Sequence, residues 1–385
     1  MVETSIIGVG RTPYGAFPDR SLHDLAAEAC RGALADAGIA AGDVDAFYLG
    51  CFAGEGFTKQ NHLAPYVGAG LGLGPVPMTH VEGACASGGT AIYHAVQAIA
   101  AGFASTVLVC GVEKMTGVTT PETTDILAAA GHAGREAGFG ATFPALFAMV
   151  ARRHMHQYGT TREQLSQVAV KNHANGALNP FAHMRKPITL EKAMAGAPVA
   201  EPLNLYDCSL ISDGASAVVV TTRERARDAA RPVRVGGIGQ ASSRFTMEEK
   251  TDITSFDAAV EASRRAYRMA GIGPKDVSLS EVHDCFTIAE IVAIEDLGFV
   301  KRGEGGPASL DGLTALRGKI PVNTSGGLKS KGHPVGATGV GQVVEVTEQL
   351  RGAAGERQVP GAEIGLTHNI GGSGATCVVT VLCRD

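Results

Sequence analysis

Four segments of this 385-residue chain carry side chains able to do chemistry. Cys85, in Val81-Glu82-Gly83-Ala84-Cys85-Ala86-Ser87-Gly88-Gly89, stands where a strand-like run over 76–81 meets a helix beginning near Ala86. A thiol at a helix N-terminus lies in the positive end of the dipole among free N–H groups, which lowers its pKa from about 8.5 and prepares a nucleophile. The same residue type is equally at home as a small buried hydrophobe. His333 lies in Asn323-Thr324-Ser325-Gly326-Gly327-Leu328-Lys329-Ser330-Lys331-Gly332-His333-Pro334-Val335-Gly336-Ala337-Thr338-Gly339, a glycine-rich loop feeding a second helix, and is a candidate base for that thiol. His283-Asp284-Cys285-Phe286 closes the strand-like residues 280–282, at the kind of strand end where α/β active sites gather. His368-Asn369-Ile370-Gly371-Gly372-Ser373-Gly374 reads as strand, glycine turn, strand, and its N–H groups can form an anion-binding nest.

The elements that must position these residues repeat. An apolar run over 4–9, helical spacing over 21–38 (Leu22, Leu25, Ala26, Ala29, Leu34) and a strand over 46–49 give a βαβ rhythm. Residues 266–277 echo 33–44 at an offset of 270 − 37 = 233, and His333-Pro334-Val335-Gly336-Ala337-Thr338 echoes Cys85-Ala86-Ser87-Gly88-Gly89-Thr90 at 333 − 85 = 248. The chain thus contains its own half twice, with His333 in the position of Cys85. Two such halves packed about a pseudo-twofold axis bring their helix starts together, and with them a nucleophile and a base. The expected organisation is a first half over 1–116 plus 203–232, an inserted loop domain over 117–202 with helices over 143–158 and 162–177, and a second half over 233–385.

Composition closes several alternatives. Lys+Arg 33 against Asp+Glu 38 leaves a net charge of −5, without the basic excess of a nucleic-acid binder. Eight scattered cysteines without a C-x-x-C pair read as reduced thiols, not as a disulfide framework or structural zinc site. Residues 83–112 carry no Asp, Glu, Lys or Arg, but Gly88, Gly89, His94, Gln97 and Gly102 break the stretch, so it reads as a buried helix and strand instead of a membrane span. Met1-Val2-Glu3-Thr4-Ser5 lacks the basic opening of a secretory leader, and a cytoplasmic protein is expected. The loop at 323–339 has no G-K-[ST], and Gly8-Val9-Gly10-Arg11-Thr12-Pro13 lacks the third glycine of a dinucleotide fingerprint.

Together with Arg11-Thr12-Pro13-Tyr14-Gly15 and Ser212-Asp213-Gly214-Ala215, these segments make the whole chain resemble the thiolase superfamily, in the right order. His283-Asp284-Cys285-Phe286 resembles the sterol-carrier-protein-2 type; other thiolases have Asn-Glu-Ala-Phe there and a catalytic cysteine near the C-terminus, about where His368 stands. The resemblance implies an α/β thiolase-like fold of two pseudo-symmetric βαβ-rich halves in α/β/α/β/α layers. It implies thiolytic cleavage of a 3-oxoacyl-CoA by CoA, or the reverse Claisen condensation. Cys85 would carry the acyl group, His333 would take its proton, and Cys285 would serve the α-carbon, with His368 the competing second acid/base. His283 with His333 would serve the enolate, and the N–H groups of Cys85 and the Gly371 turn the tetrahedral intermediate. CoA and acyl-CoA are then substrates, with no permanent cofactor and no metal. A homodimer or dimer of dimers is implied, and a small zinc-ribbon/OB-fold acyl-CoA-binding partner. Phe143 and Met149 are candidate acyl-chain liners. Alternatives on the same fold are a C-acyltransferase with a non-CoA acceptor, a retro-aldolase, for which a nucleophilic Cys85 is out of place, and a noncatalytic acyl-CoA or lipid carrier. A cysteine hydrolase is disfavoured because Gly83-Ala84-Cys85-Ala86-Ser87 lacks the closing glycine of a nucleophile elbow.

Overall fold

Strand β1 (Thr4–Arg11) feeds the helix Leu22–Ala37, whose ends are set by local chemistry. Ser21 Oγ accepts from Asp24 N–H at 3.1 Å while the Asp24 carboxylate accepts from Ser21 N–H at 3.0 Å, and Gly38 ends the helix in the left-handed region at φ 68°. The second copy is built alike. Strand β8 (Val233–Ser242) leads to the helix Asp257–Ala270, ended by Gly271 at φ 71°. The computed structural model describes residues 3–385, so the first two residues of the expected 1–116 segment lie outside it.

The remaining strands are β2 (Ala46–Gly50), β3 (Met78–Val81), β4 (Thr106–Glu113), the short pair β5 (Pro198–Ala200) and β6 (Leu203–Asn204), β7 (Gly214–Thr222), β9 (Leu279–Glu281), β10 (Ile364–Gly371) and β11 (Thr376–Arg384). Seven of these join β1 and β8 in one nine-stranded sheet, β3-β2-β4-β7-β1-β8-β11-β10-β9. The halves meet where Ser5 pairs with Arg234 and Ile6 with Val233. From that seam outward the two halves match strand for strand, and Val322, bridging Ser280 in parallel, stands in for the fifth strand of the second half. Two helices, Ser87–Ala100 and Thr338–Leu350, pack against each other and against strands of both halves, while Leu22–Ala37 and Asp257–Ala270 cover the outer faces. The α/β/α/β/α layering therefore holds, with a sheet continuous across the seam instead of two separate ones.

Alternation along β4 shows why this stretch reads as unbroken apolar sequence. Val107 and Val109 join the core between the halves, whereas Leu108, Cys110 and Val112 join the core under the helix Leu22–Ala37. A strand buried on both faces has no polar side to show. No helix among the described residues is long and apolar enough to cross a membrane.

The structure corrects the expected equivalence of Cys85 and His333. Counted from the two central helices, the offset is 338 − 87 = 251, which matches Cys85 with Gly336 and leaves His333 three residues earlier. The reason is close packing. A Cβ on Gly88 would lie 2.6 Å from Gly336 O, so the two glycine turns touch backbone to backbone and the histidine must approach from the preceding loop.

Between β4 and β7 the chain makes the excursion, with helices Phe143–Tyr158 and Arg162–Ala177. Although it interrupts the first half in sequence, its apolar face (Leu146, Phe147, Val150, Leu165, Val168) belongs to the core of the second half. Phe147 stacks on Phe286 with ring centroids 4.7 Å apart. The excursion thereby backs the turn that carries His283 and Cys285.

Candidate active site

Cys85 lies in the 3₁₀ turn Ala84–Ala86 that precedes the helix Ser87–Ala100. Ala84 is held in the left-handed region at φ 51°, a strained conformation for a residue with a Cβ. Three short bonds hold it there: Ala84 N–H to Glu82 Oε1 at 2.6 Å, Ser87 Oγ to Ala84 O at 2.6 Å, and Gly83 N–H to Ser87 Oγ at 3.0 Å. His283 follows β9, and His333 follows Gly332, whose φ of 110° and contact with Ser212 leave no room for a side chain. The Cys85 sulfur and one ring nitrogen each of His283 and His333 lie within 4.8 Å of one another. The two imidazoles meet edge to face, centroids 5.0 Å apart. The same three atoms are a donor set that zinc accepts, so the expectation of no metal rests on the resemblance and not on a lack of ligands.

Each Nδ1 is engaged behind the site. His333 Nδ1 lies 2.6 Å from Thr338 Oγ1, and His283 Nδ1 lies 3.1 Å from Asn369 Nδ2. Both Nε2 atoms are thus left for the cluster. Of Cys85, His283, Cys285, His333 and His368, only Cys85 keeps a partly exposed surface.

Electrostatics overturn one expectation. Burial pushes the Cys85 thiol up to about 12, with the Gly372 N–H and its own N–H pulling the other way and Glu113 adding to the rise. The turn before the helix contributes donors, but desolvation of an anion outweighs them. Cys85 therefore rests as a thiol, and would need a base to act as a nucleophile. Burial, and then the Lys331 ammonium, hold His333 down to about 3, so its imidazole is neutral. Burial with His333 and His368 beside it holds His283 well below the ordinary range, and burial alone holds His368 down to about 3.

These three neutral histidines bear on acid stability. In the unfolded chain each binds a proton below about pH 6.5, which the folded protein refuses until much lower pH. The unfolded state thus binds more protons in that window, and stability falls as pH drops from 7 toward 4. Urea midpoints measured across this range are expected to fall steadily with pH; a midpoint independent of pH would mean the imidazoles are charged or exposed in the folded state.

Cys285 is buried, and burial, followed by the neighbouring Cys85 and Asp284, pushes its thiol well up. Asp284 accepts from Leu328 N–H at 2.7 Å and Lys329 N–H at 3.2 Å, tying the turn of His283 and Cys285 to the loop that leads to His333. Gly371 packs against Gly83 and Ala86, and it is the N–H of its neighbour Gly372 that favours a negative charge on the Cys85 sulfur. His368 lies behind His283, its Nδ1 accepting the His283 backbone N–H at 3.4 Å and its Nε2 unpartnered. The side chain of this turn that meets Cys85 belongs to Asn369, whose Nδ2 donates to Cys85 O at 2.9 Å. Alternation along β10 is the cause, since neighbouring strand residues face opposite ways.

Phe143 and Met149, the expected acyl-chain liners, differ in their surroundings. Phe143 packs on the core of the second half, and Met149 lies 46% exposed. A groove of about 570 Å³ opens beside Arg152, Met155, Arg162, Met194 and Leu203. Sequence reasoning named Asn369 and Thr338 within longer stretches without giving either a role. The available signals were the polar neighbour of His368 and a hydroxyl five residues after His333.

Comparison with known proteins agrees with this architecture. The family model "Thiolase, N-terminal domain" matches residues 4–224, and "Thiolase C-terminal domain-like" matches residues 239–384. An acetyl-CoA acetyltransferase of Methanothermobacter thermautotrophicus is 50% identical over 385 residues, all of both chains. Sterol carrier protein 2 of Homo sapiens is 34% identical, covering 97% of this chain and 70% of that one. A solved structure named "Ltp2-ChsH2(DUF35) aldolase" superposes with a TM-score of 0.87 at 30% identity, covering 100% of this chain and 98% of the other.

Proposed function

Because this chain belongs to the thiolase family, we infer that it is an acyl-CoA acyltransferase that cleaves a 3-oxoacyl-CoA with CoA, or runs the reverse Claisen condensation, through an acyl group on Cys85. The observation that carries this reading is the convergence of the Cys85 sulfur with ring nitrogens of His283 and His333. In the cleavage direction, Cys85 gives its proton to His333 and attacks the 3-oxo carbonyl. Thr338 Oγ1 is placed to donate to Pro334 O at 3.1 Å and to accept from His333 Nδ1–H, which leaves Nε2 bare for that proton. The N–H groups of Cys85 and Gly372, which favour negative charge beside the Cys85 sulfur, are the donors we assign to the oxyanion, each worth on the order of 3 kcal/mol. The carbon–carbon bond then breaks, and the acetyl-CoA enolate takes a proton from Cys285, whose raised pKa keeps it a thiol until then. CoA transfers its own proton to the resulting Cys285 thiolate and attacks acyl-Cys85, and His333 reprotonates the departing sulfur. One thioester replaces another throughout, so the sequence is reversible.

The assignment of the α-carbon proton to Cys285 over His368 separates two steps. Cys285→Ala is expected to lower cleavage and condensation about 10²–10⁴-fold, the range for loss of one acid/base, and to slow Cys85 acylation by acyl-CoA less, because a departing CoA thiolate needs a proton far less than an enolate does. His368→Ala is expected to lower them less. Stopped single-turnover acylation compared with steady-state cleavage checks this, and the reverse ranking would move the role to His368.

We place the chain with the sterol-carrier-protein-2 type on His283-Asp284-Cys285-Phe286, supported by the similarity to human sterol carrier protein 2. The 30% identical aldolase favours carbon–carbon cleavage without acyl transfer as the second reading. Acylation of Cys85 by acyl-CoA excludes it, and an active enzyme with no acyl-Cys85 would establish it. That aldolase's name joins two components, which supports the proposed small zinc-ribbon/OB-fold partner; co-purification tests it, and full activity of the chain alone would remove the need for one. The functional unit is proposed to be a cytoplasmic homodimer or dimer of dimers.

A further inference from the structure

We propose that Asn369 is a positioning residue that fixes the proton of His283 on Nε2, making this histidine a hydrogen-bond donor to the enolate oxygen; the enolate role rests on the thiolase reading above. The amide orientation is set by two backbone groups that leave no choice. Gly89 N–H, a donor only, lies 3.1 Å from Asn369 Oδ1, and Cys85 C=O, an acceptor only, lies 2.9 Å from Asn369 Nδ2. Glycines at 89 and 339 close around Oδ1, where a Cβ on Gly89 would stand 2.8 Å away. Asn369 is itself buried.

The second hydrogen of Nδ2 faces His283 Nδ1 at 3.1 Å. An amide nitrogen only donates, so Nδ1 must accept and is bare. A neutral imidazole has one proton, which therefore sits on Nε2. The His283 main chain is held as well, its N–H donating to His368 Nδ1. The two imidazoles of the cluster are thus set in opposite senses. Thr338 leaves His333 Nε2 bare to take a proton, and Asn369 leaves His283 Nε2–H to offer a hydrogen bond. A donor fixed in advance at a developing oxyanion contributes about 10²–10³ in rate.

The test reads the proton directly on the full-length resting protein. With ¹⁵N-labelled histidine, the His283 signals are found among those of 12 histidines by their loss in His283→Gln. The expected pattern is a bare Nδ1 and a protonated Nε2. In Asn369→Asp a carboxylate still accepts from Gly89 N–H but offers only acceptors to His283, so Nδ1 is expected to gain a proton. Exchange of solvent deuterium into the methyl group of acetyl-CoA is expected to fall about 10²–10³-fold, at least tenfold further than Cys85 acylation. A proton on Nδ1 of His283 in the unsubstituted protein overturns the proposal even if Asn369→Asp does not fold. Equal losses of exchange and acylation in a folded Asn369→Asp overturn the enolate role. Failure of the unsubstituted protein to acylate Cys85 would instead defeat the thiolase reading and leave the tautomer assignment standing.

Discussion

Cys85→Ala is expected to abolish acyl transfer, with kcat falling on the order of 10⁶-fold, as when a covalent nucleophile is removed from an assembled site. In the proposed mechanism its sulfur is where the new thioester bond forms, and the neighbouring His283 and His333 supply nitrogen atoms without replacing that bond. The fold should tolerate the change, because one sulfur is lost at a partly exposed turn held by the bonds of Gly83, Ala84 and Ser87. Peptide mass analysis after incubation with acyl-CoA should find the added acyl mass on the Cys85 peptide of the unsubstituted protein and nowhere in the variant. Normal turnover by Cys85→Ala, or acylation elsewhere, would end the covalent mechanism.

His333→Ala should be slower by about 10²–10⁴-fold at neutral pH and should acquire a pH dependence that the unsubstituted enzyme lacks. With the base present, a neutral imidazole is available at every pH above about 3, and the rate of acylation needs no preformed thiolate. Without it, reaction proceeds only through the ionised fraction of a thiol whose pKa stands at about 12. That fraction rises tenfold for each unit of pH below 12, so the acylation rate of the variant should climb with unit slope through the neutral and alkaline range. Single-turnover acylation between pH 6 and 9 distinguishes the cases. A flat profile in His333→Ala would show that the proton of Cys85 leaves by another route. A sloped profile in the unsubstituted enzyme would show that His333 is not the acceptor.

Much of the positioning framework was legible because it depends on neighbours in the chain. The Ser21 cap and the Gly38 stop are hydrogen bonds and backbone angles spanning a few residues. The helices Phe143–Tyr158 and Arg162–Ala177 show their 3.6-residue spacing, and β4 shows the continuous apolar run of a strand buried on both sides. Cys85, His283, Cys285 and His333 stood out for the same reason, each set at the junction of a strand or loop with a helix. The repeat was visible as well, although counting matched letters put His333 three residues away from its partner in space, where the contact of Gly88 with Gly336 governs.

What could not be read was decided by groups far apart in the chain. The thiol of Cys85 looked acidic from its place beside a helix start, yet enclosure by distant segments raises its pKa. Asn369 takes its hydrogen-bond partners, and with them its proposed role, only when Gly89, Cys85 and His283 surround it, and the excursion backs the second half although it leaves the chain from the first. Residue types and local spacing were enough to pick out the candidate reacting atoms and the elements carrying them. Protonation and hydrogen-bond direction were not, because burial and donor geometry belong to the folded whole: moving an ion out of water costs more than a helix end returns, and a proton's place on an imidazole depends on which atom lies opposite.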